Sequence, residues 1–148
     1  MIIPFKSVSI SHRTAPLTIR EMVALNEEES RAFAITCKDL FGLNELLIVS
    51  TCNRTELYYT AKESISENLV KALLIEKGIE ATPEFLNYFK HREDTIDSLR
   101  HLFEVATGLQ SKVVGDLQIP NQIKKAYQQA ADLNMAGPYL HRLMHTIF

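Results

Sequence analysis

Leu46-Leu47-Ile48-Val49-Ser50-Thr51-Cys52-Asn53-Arg54-Thr55-Glu56-Leu57-Tyr58-Tyr59-Thr60 reads as a strand, a tight loop and a second strand. The run from Glu45 to Ser50 is almost continuously apolar, which predicts a central strand with both faces covered. Glu56 to Ala61 alternates, with Leu57, Tyr59 and Ala61 on one side, and pairs antiparallel with the first strand. Between them lies Ser50-Thr51-Cys52-Asn53-Arg54-Thr55. A cysteine at the end of a buried strand is held by the sheet and faces the mouth of the fold. An arginine two residues on can hold an anion beside it.

Outward from this hairpin, residues 6–11 alternate polar and apolar, with Val8 and Ile10 facing one way, and predict a half-buried strand. Leu17 to Ala24 can form a short helix after the loop Ser11–Pro16. Asn26 reads as an N-cap, and Glu29 three residues later completes a capping box. Phe33, Cys37, Leu40 and Phe41 then mark one helical face, with Gly42 as the stop. Ser64 and Glu67 suggest a second capping box, followed by the stripe Leu69, Val70, Leu73, Leu74 and the stop Gly78. Asn87 to His91 is a candidate fourth strand. The order β-α-β-β-α-β predicts an α+β fold with a ferredoxin-like core. Additional helices follow. Ile96, Leu99, Leu102, Phe103 and Ala106 mark one that ends at Gly108. Ile119, Ile123, Tyr127 and Ala130 mark the next, with Pro120 in its first turn and a polar stripe of Gln118, Gln122, Lys125 and Gln129 opposite. Gly137-Pro138 breaks the chain. Leu140, Leu143, Met144 and Ile147 begin a last helix without a closing signal, so the chain is expected to continue in nature.

At 148 residues the chain suits one domain with a real core. Hydrophobic residues make up 46% and charged residues 23%, which excludes a disordered chain. Two cysteines, neither with histidines at ligand spacing, exclude a zinc site and a disulfide scaffold, and suggest free thiols in a reducing compartment. No apolar run approaches the roughly 20 residues needed to span a bilayer, and the N-terminus lacks the basic head of a signal peptide. The expectation is a cytoplasmic protein without a membrane partner. A formal net charge of −2 gives no general attraction to polyanions, so any nucleic acid must be met by a local patch. The five glycines are scattered and form neither a G-x-G-x-x-G nor a Walker loop.

The loop carries the chemistry. A free thiol with a reference pKa of about 8.5 is only slightly ionised at neutral pH, yet sulfur is intrinsically very nucleophilic. Attack on an activated ester needs little more, whereas attack on an amide needs strong acid–base assistance. Arg54 could lower the thiol pKa, and histidines could donate protons. Each residue also has a plainer reading. Cys52 could be a packed strand-end cysteine, Arg54 a surface turn residue, and His101 a packing or solvent-facing histidine within its helix. His12, before a turn, is equally open.

Three blocks, in order, resemble the glutamyl-tRNA reductase family. They are Ser11-His12-Arg13-Thr14-Ala15-Pro16 with Arg20-Glu21; Ser50-Thr51-Cys52-Asn53-Arg54-Thr55-Glu56-Leu57-Tyr58; and the stretch from His101 to Ile119, beginning His101-Leu102-Phe103-Glu104-Val105-Ala106-Thr107-Gly108. The resemblance implies reduction of tRNA-bound glutamate to glutamate-1-semialdehyde with NADPH, in tetrapyrrole synthesis. Cys52 would be the nucleophile that attacks the aminoacyl ester and forms a thioester. His101 would assist as acid or base. Thr51 and Arg54 would recognise the glutamyl group, and Ser111, Gln118 and Gln122 would line its pocket, with His12 in a supporting role. The sequence departs from the family pattern at Gln110, Asp116, Pro120 and Asn121. By the same resemblance, residues 1–137 form the catalytic and substrate-recognition domain, and 138–148 begin a connecting helix. NADPH would bind a further domain, with none bound in this chain. The partners implied are glutamyl-tRNA(Glu), a second copy in a homodimer, and an aminomutase that receives the semialdehyde.

Two other classes fit the residues read alone. One is a ferredoxin-like binding or regulatory module in which Cys52 and Arg54 are structural and Lys124, Lys125 and Arg142 hold a partner. The other is a thiol hydrolase acting on unrelated esters.

Overall fold

The computed structural model describes residues 4–108 and 118–148. Its strands are β1 (Phe5–Ser11), β2 (Leu46–Ser50), β3 (Arg54–Thr60) and β4 (Lys90–Arg92), joined into one antiparallel sheet of order β2-β3-β1-β4. Among the described residues seven helices surround it: α1 (Leu17–Val23), α2 (Glu27–Phe41), α3 (Ser66–Glu76), α4 (Pro83–Leu86), α5 (Thr95–Ala106), α6 (Gln118–Asp132) and α7 (Pro138–Ile147).

The period-two alternation of strands sorts the apolar residues into two cores. Val8, Ile10, Ile48, Leu57 and Tyr59 meet Phe33 and Cys37 of α2 and Leu69, Val70, Leu73 and Leu74 of α3. On the other face, Phe5, Leu47, Val49 and Tyr58 meet Leu102 and Val105 of α5, Ile123 and Ala126 of α6, and Leu140, Leu143 and Met144 of α7. The sheet is therefore the middle of three layers.

That layering corrects two expectations. β1 is not half-buried: every residue of it is buried, because α5 covers the face that Phe5 and the serines occupy while α3 covers the face of Val8 and Ile10. β2 is not central: it is an edge strand. Its unbroken apolar run reflects burial on both faces, and α6 packs against it from outside the sheet.

Helix ends follow local chemistry. Asn26 Oδ1 accepts from Glu29 N at 2.8 Å, and Asn26 N donates to Glu29 Oε1 at 3.0 Å, completing the expected box. Gly42 ends α2 at φ 62°, a left-handed value that glycine adopts without strain. The second expected box does not form. Ile65 precedes α3, and its N–H donates to the Tyr59 hydroxyl at 3.1 Å, while Ser64 Oγ accepts from Ser66 N at 3.4 Å rather than from Glu67. The apolar stripes are also rotated. Leu40 and Ile96 are 66% and 59% exposed. α5 instead buries Ser98, His101, Leu102, Val105 and Ala106, which places His101 on the packed face. The fourth strand is shorter and later than Asn87–His91, because Thr82 caps the short helix α4 just before it. At the start of β2 the buried Glu45 reaches α7: Oε1 accepts from Leu140 N at 2.8 Å and Oε2 from Thr60 Oγ1 at 3.2 Å. No helix among the described residues is long and apolar enough to cross a membrane.

Candidate active site

The turn between β2 and β3 is closed by Thr51 N donating to the Arg54 carbonyl at 2.8 Å and Asn53 N donating to Thr51 Oγ1 at 3.2 Å. Cys52 sits exposed at its tip as a free thiol. Two neighbours fix the turn from the side. His12 N donates to the Asn53 carbonyl at 3.0 Å. Arg20, buried on α1, donates through Nη1 to the Cys52 carbonyl at 3.3 Å and to Asn53 Oδ1 at 3.1 Å, and through Nε to the Ala15 carbonyl at 3.2 Å. The backbone of Cys52 is thus held from beneath while the residue remains open to solvent.

Arg54, Glu56 and Tyr58 alternate along β3 and so share its second face. Glu56 is wholly buried and gathers the others around one carboxylate. Its Oε2 accepts from Arg54 Nη1 at 3.0 Å and lies 2.7 Å from Nε2 of His101. Its Oε1 accepts from the Tyr58 hydroxyl. Burial pushes the Glu56 carboxyl upward. The His101 hydrogen bond and charge, the Arg54 charge and the Tyr58 hydroxyl outweigh that push and hold it below its ordinary 4.5. Burial, together with the Glu56 charge, drives the Tyr58 hydroxyl well above 10. The other thiol, Cys37, is buried in the first core, where burial and the Glu76 charge push it up to about 12.

Of the site residues read from sequence, Thr51, Cys52 and Arg54 share the turn and its first strand residue, and His101 joins Arg54 through Glu56. Arg54 does not lie on the surface: its guanidinium is buried against Glu56. Gln122 stands apart in a groove of about 570 Å³ that it shares with Ser50, Ile48, Asn26 and Lys125. Ser111 lies outside the described residues, as does the side chain of Gln118, whose backbone opens α6. Three groups at the site were not singled out from sequence. Glu56 and Tyr58 were visible as the alternate positions of β3. Arg20 stood in a quoted block but had no assigned role. Among the described residues no cluster of three or more His, Cys, Asp or Glu side chains could hold a metal ion.

Residues 8–148 match the model of the family described as glutamyl-tRNAGlu reductase, N-terminal domain. The chain is 55% identical over its full length to a protein of Cytophaga hutchinsonii named glutamyl-tRNA reductase, of which it covers 35%. It is 37% identical over 138 residues to the protein of that name from Rubrobacter xylanophilus, covering 93% of this chain and 32% of that one. Among solved structures, glutamyl-tRNA reductase from Methanopyrus kandleri superposes with a TM-score of 0.78 at 26% identity, over 99% of this chain and 33% of that one. The chain thus spans about a third of the length of its relatives. On the family match over nearly its whole length, it belongs to the glutamyl-tRNA reductase N-terminal domain family.

Proposed function

We propose that this domain forms the thioester half-reaction of glutamyl-tRNA reduction, with Cys52 as nucleophile. The observation that carries the reading is the contrast between the two thiols: Cys52 is presented at the tip of a braced turn, and Cys37 is sealed in the core. The Cys52 thiolate adds to the carbonyl carbon of the glutamyl ester. The carbon–oxygen bond to the terminal ribose then breaks, a C–S bond remains, and the departing ribose oxygen takes a proton. His101 is assigned that acid–base work. Glu56 on Nε2 orients the ring, as a carboxylate does behind a catalytic imidazole. Nδ1 is then the nitrogen that exchanges a proton with substrate.

Thr51, Arg54, Ser111, Gln118 and Gln122 are assigned to the glutamyl group. Arg54 acts in this reading from a fixed position, one edge of its guanidinium on Glu56. The strand order and the helices between strands are read as the split β-α-β-β-α-β pattern. Residues 1–137 are the catalytic and recognition domain, and 138–148 the first turns of a connecting helix.

In this reading the nicotinamide cofactor is held outside the described residues. Gly42, Gly78 and Gly108 close helices at their C-terminal ends, where the dipole repels a pyrophosphate. Hydride delivery from NADPH to the thioester, giving the semialdehyde, is therefore assigned to a further domain of the kind its longer relatives have room for, as are dimerisation and transfer of the product to an aminomutase.

Intact-mass spectrometry after mixing the chain with glutamyl-tRNA tests the reading. The expected result is one glutamyl adduct, mapped to Cys52 and absent from Cys52→Ser. Retained tRNA binding with no adduct on either sulfur would instead favour a non-catalytic binding module.

A further inference from the structure

Arg20 and Arg54 are both buried, yet of the two only Arg54 pairs with a carboxylate among the described residues. Arg54 lies against Glu56, whereas Arg20, 5% exposed, forms no ion pair among the described residues. A buried guanidinium is costly to keep unless its hydrogens are satisfied. Here the acceptors are three neutral oxygens, and two of them belong to Cys52 and Asn53. The third is the Ala15 carbonyl, in a loop that Ala15 N anchors by donating to the Ser11 carbonyl at the end of β1. One side chain thus ties β1, α1 and the β2–β3 turn together, across 32 residues of sequence.

From this geometry we infer that Arg20 is a positioning residue for Cys52. This rests on the reading of Cys52 as nucleophile. By holding the Cys52 carbonyl inward, Arg20 fixes the peptide plane, and with it the direction of the Cα–Cβ bond that carries the sulfur. The same contact leaves a positive charge, unneutralised by any described carboxylate, on the backbone of the residue whose sulfur becomes the thiolate. The two arginines then have separate tasks. Arg54, paired with Glu56, serves the glutamyl group, and Arg20 keeps its charge for the turn.

Two readouts and three variants test this. The first readout is the rate of glutamyl adduct formation at saturating glutamyl-tRNA. The second is the rate of Cys52 alkylation by iodoacetamide, which needs no substrate. Arg20→Ala is expected to slow adduct formation by about 100-fold, the scale of a misplaced reacting group, with the half-saturating tRNA concentration changed less than about threefold. Arg20→Lys should recover part of the rate, since an ammonium keeps the charge and can reach one carbonyl. Asn53→Asp separates charge from bracing. It keeps the oxygen that Arg20 grips and strengthens the grip, but neutralises the guanidinium. It should slow both reactions by about tenfold without lowering the melting temperature, and it remains informative if Arg20→Ala fails to fold. Wild-type rates in both assays for Asn53→Asp and Arg20→Lys would overturn the inference. The absence of any adduct in the unmutated chain would defeat the thioester reading instead. In that case slower alkylation in Asn53→Asp would still support Arg20, and unchanged alkylation would count against it.

Discussion

Cys37 and Cys52 are the same functional group in two environments, and the difference is large enough to measure directly. Cys37 reacts only when the first core opens, and its thiol lies far from ionisation at neutral pH. Iodoacetamide at pH 8 should therefore label Cys52 at least about 100-fold faster than Cys37; equal labelling would remove the contrast on which the proposed chemistry stands. Glu56 makes a second prediction. Its folded carboxyl titrates below its ordinary 4.5, so its stabilising contribution is complete above the unfolded value, about 4.3, and is lost as pH falls through the lower folded value. Urea unfolding should show a loss of stability below about pH 4 that Glu56→Gln lacks. At pH 7 that variant leaves Arg54 buried without its anion, at a cost of about 3–5 kcal/mol. Superimposable acid profiles for the two proteins would show that Glu56 is not the group responsible. At this scale the loop was legible in the sequence, because Thr51-Cys52-Asn53-Arg54 is contiguous. The carboxylate was not. Glu56 occupies the polar phase of an alternating strand, which reads as solvent-facing until α5, more than thirty residues later, is known to cover that face.

Helix termini and strand edges show which local rules survive tertiary packing. The Asn26–Glu29 box formed as its spacing predicts, and Asn26→Ala should cost about 1 kcal/mol by urea denaturation, with no change in Cys52 alkylation. The Ser64–Glu67 pattern did not form a box: the helix begins one residue later than its spacing implies, and the Tyr59 hydroxyl accepts from Ile65 N at that end. The edge position of β2 was hidden too. An apolar run reports burial, and α6 packs against that strand from outside the sheet. At the far end of β2, Gly137 packs so closely on Glu45 that a Cβ would lie 2.8 Å from its Cγ and Cδ. The φ of Gly137 is ordinary, so the requirement for glycine here is space alone. Glu45 cannot swing away without releasing Leu140 N. Gly137→Ala should therefore cost about 1–3 kcal/mol. In the Glu45→Ala background the same change should cost much less, a non-additivity that identifies the contact.

The molecule as a whole is a sheet between two helical layers, and the site lies where the layers depend on each other. The first core, under α2 and α3, buries Cys37; the second, under α5, α6 and α7, contains the face of β3 that carries Arg54, Glu56 and Tyr58. His101 reaches Glu56 only because α5 is pressed onto that face, and α5 shares its core with α7. The consequence is that α7 matters to the site through the core it shares with α5 and Tyr58. Leu140, Leu143 and Met144 are buried in the second core, against a group that includes Phe5, Leu47, Val49 and Tyr58. A chain ended after residue 137 would expose those partners to water and strip Glu45 Oε1 of its donor. Leu140→Ala alone should cost about 2–5 kcal/mol, a large part of the roughly 5–15 kcal/mol available to a domain. The truncated chain should lose more, and its fluorescence and circular dichroism transitions should separate as the second layer loosens before the first. If it instead unfolds in one transition at the urea midpoint of the longer chain, α7 is a passenger on the surface, and the second layer is held by α5 and α6 alone.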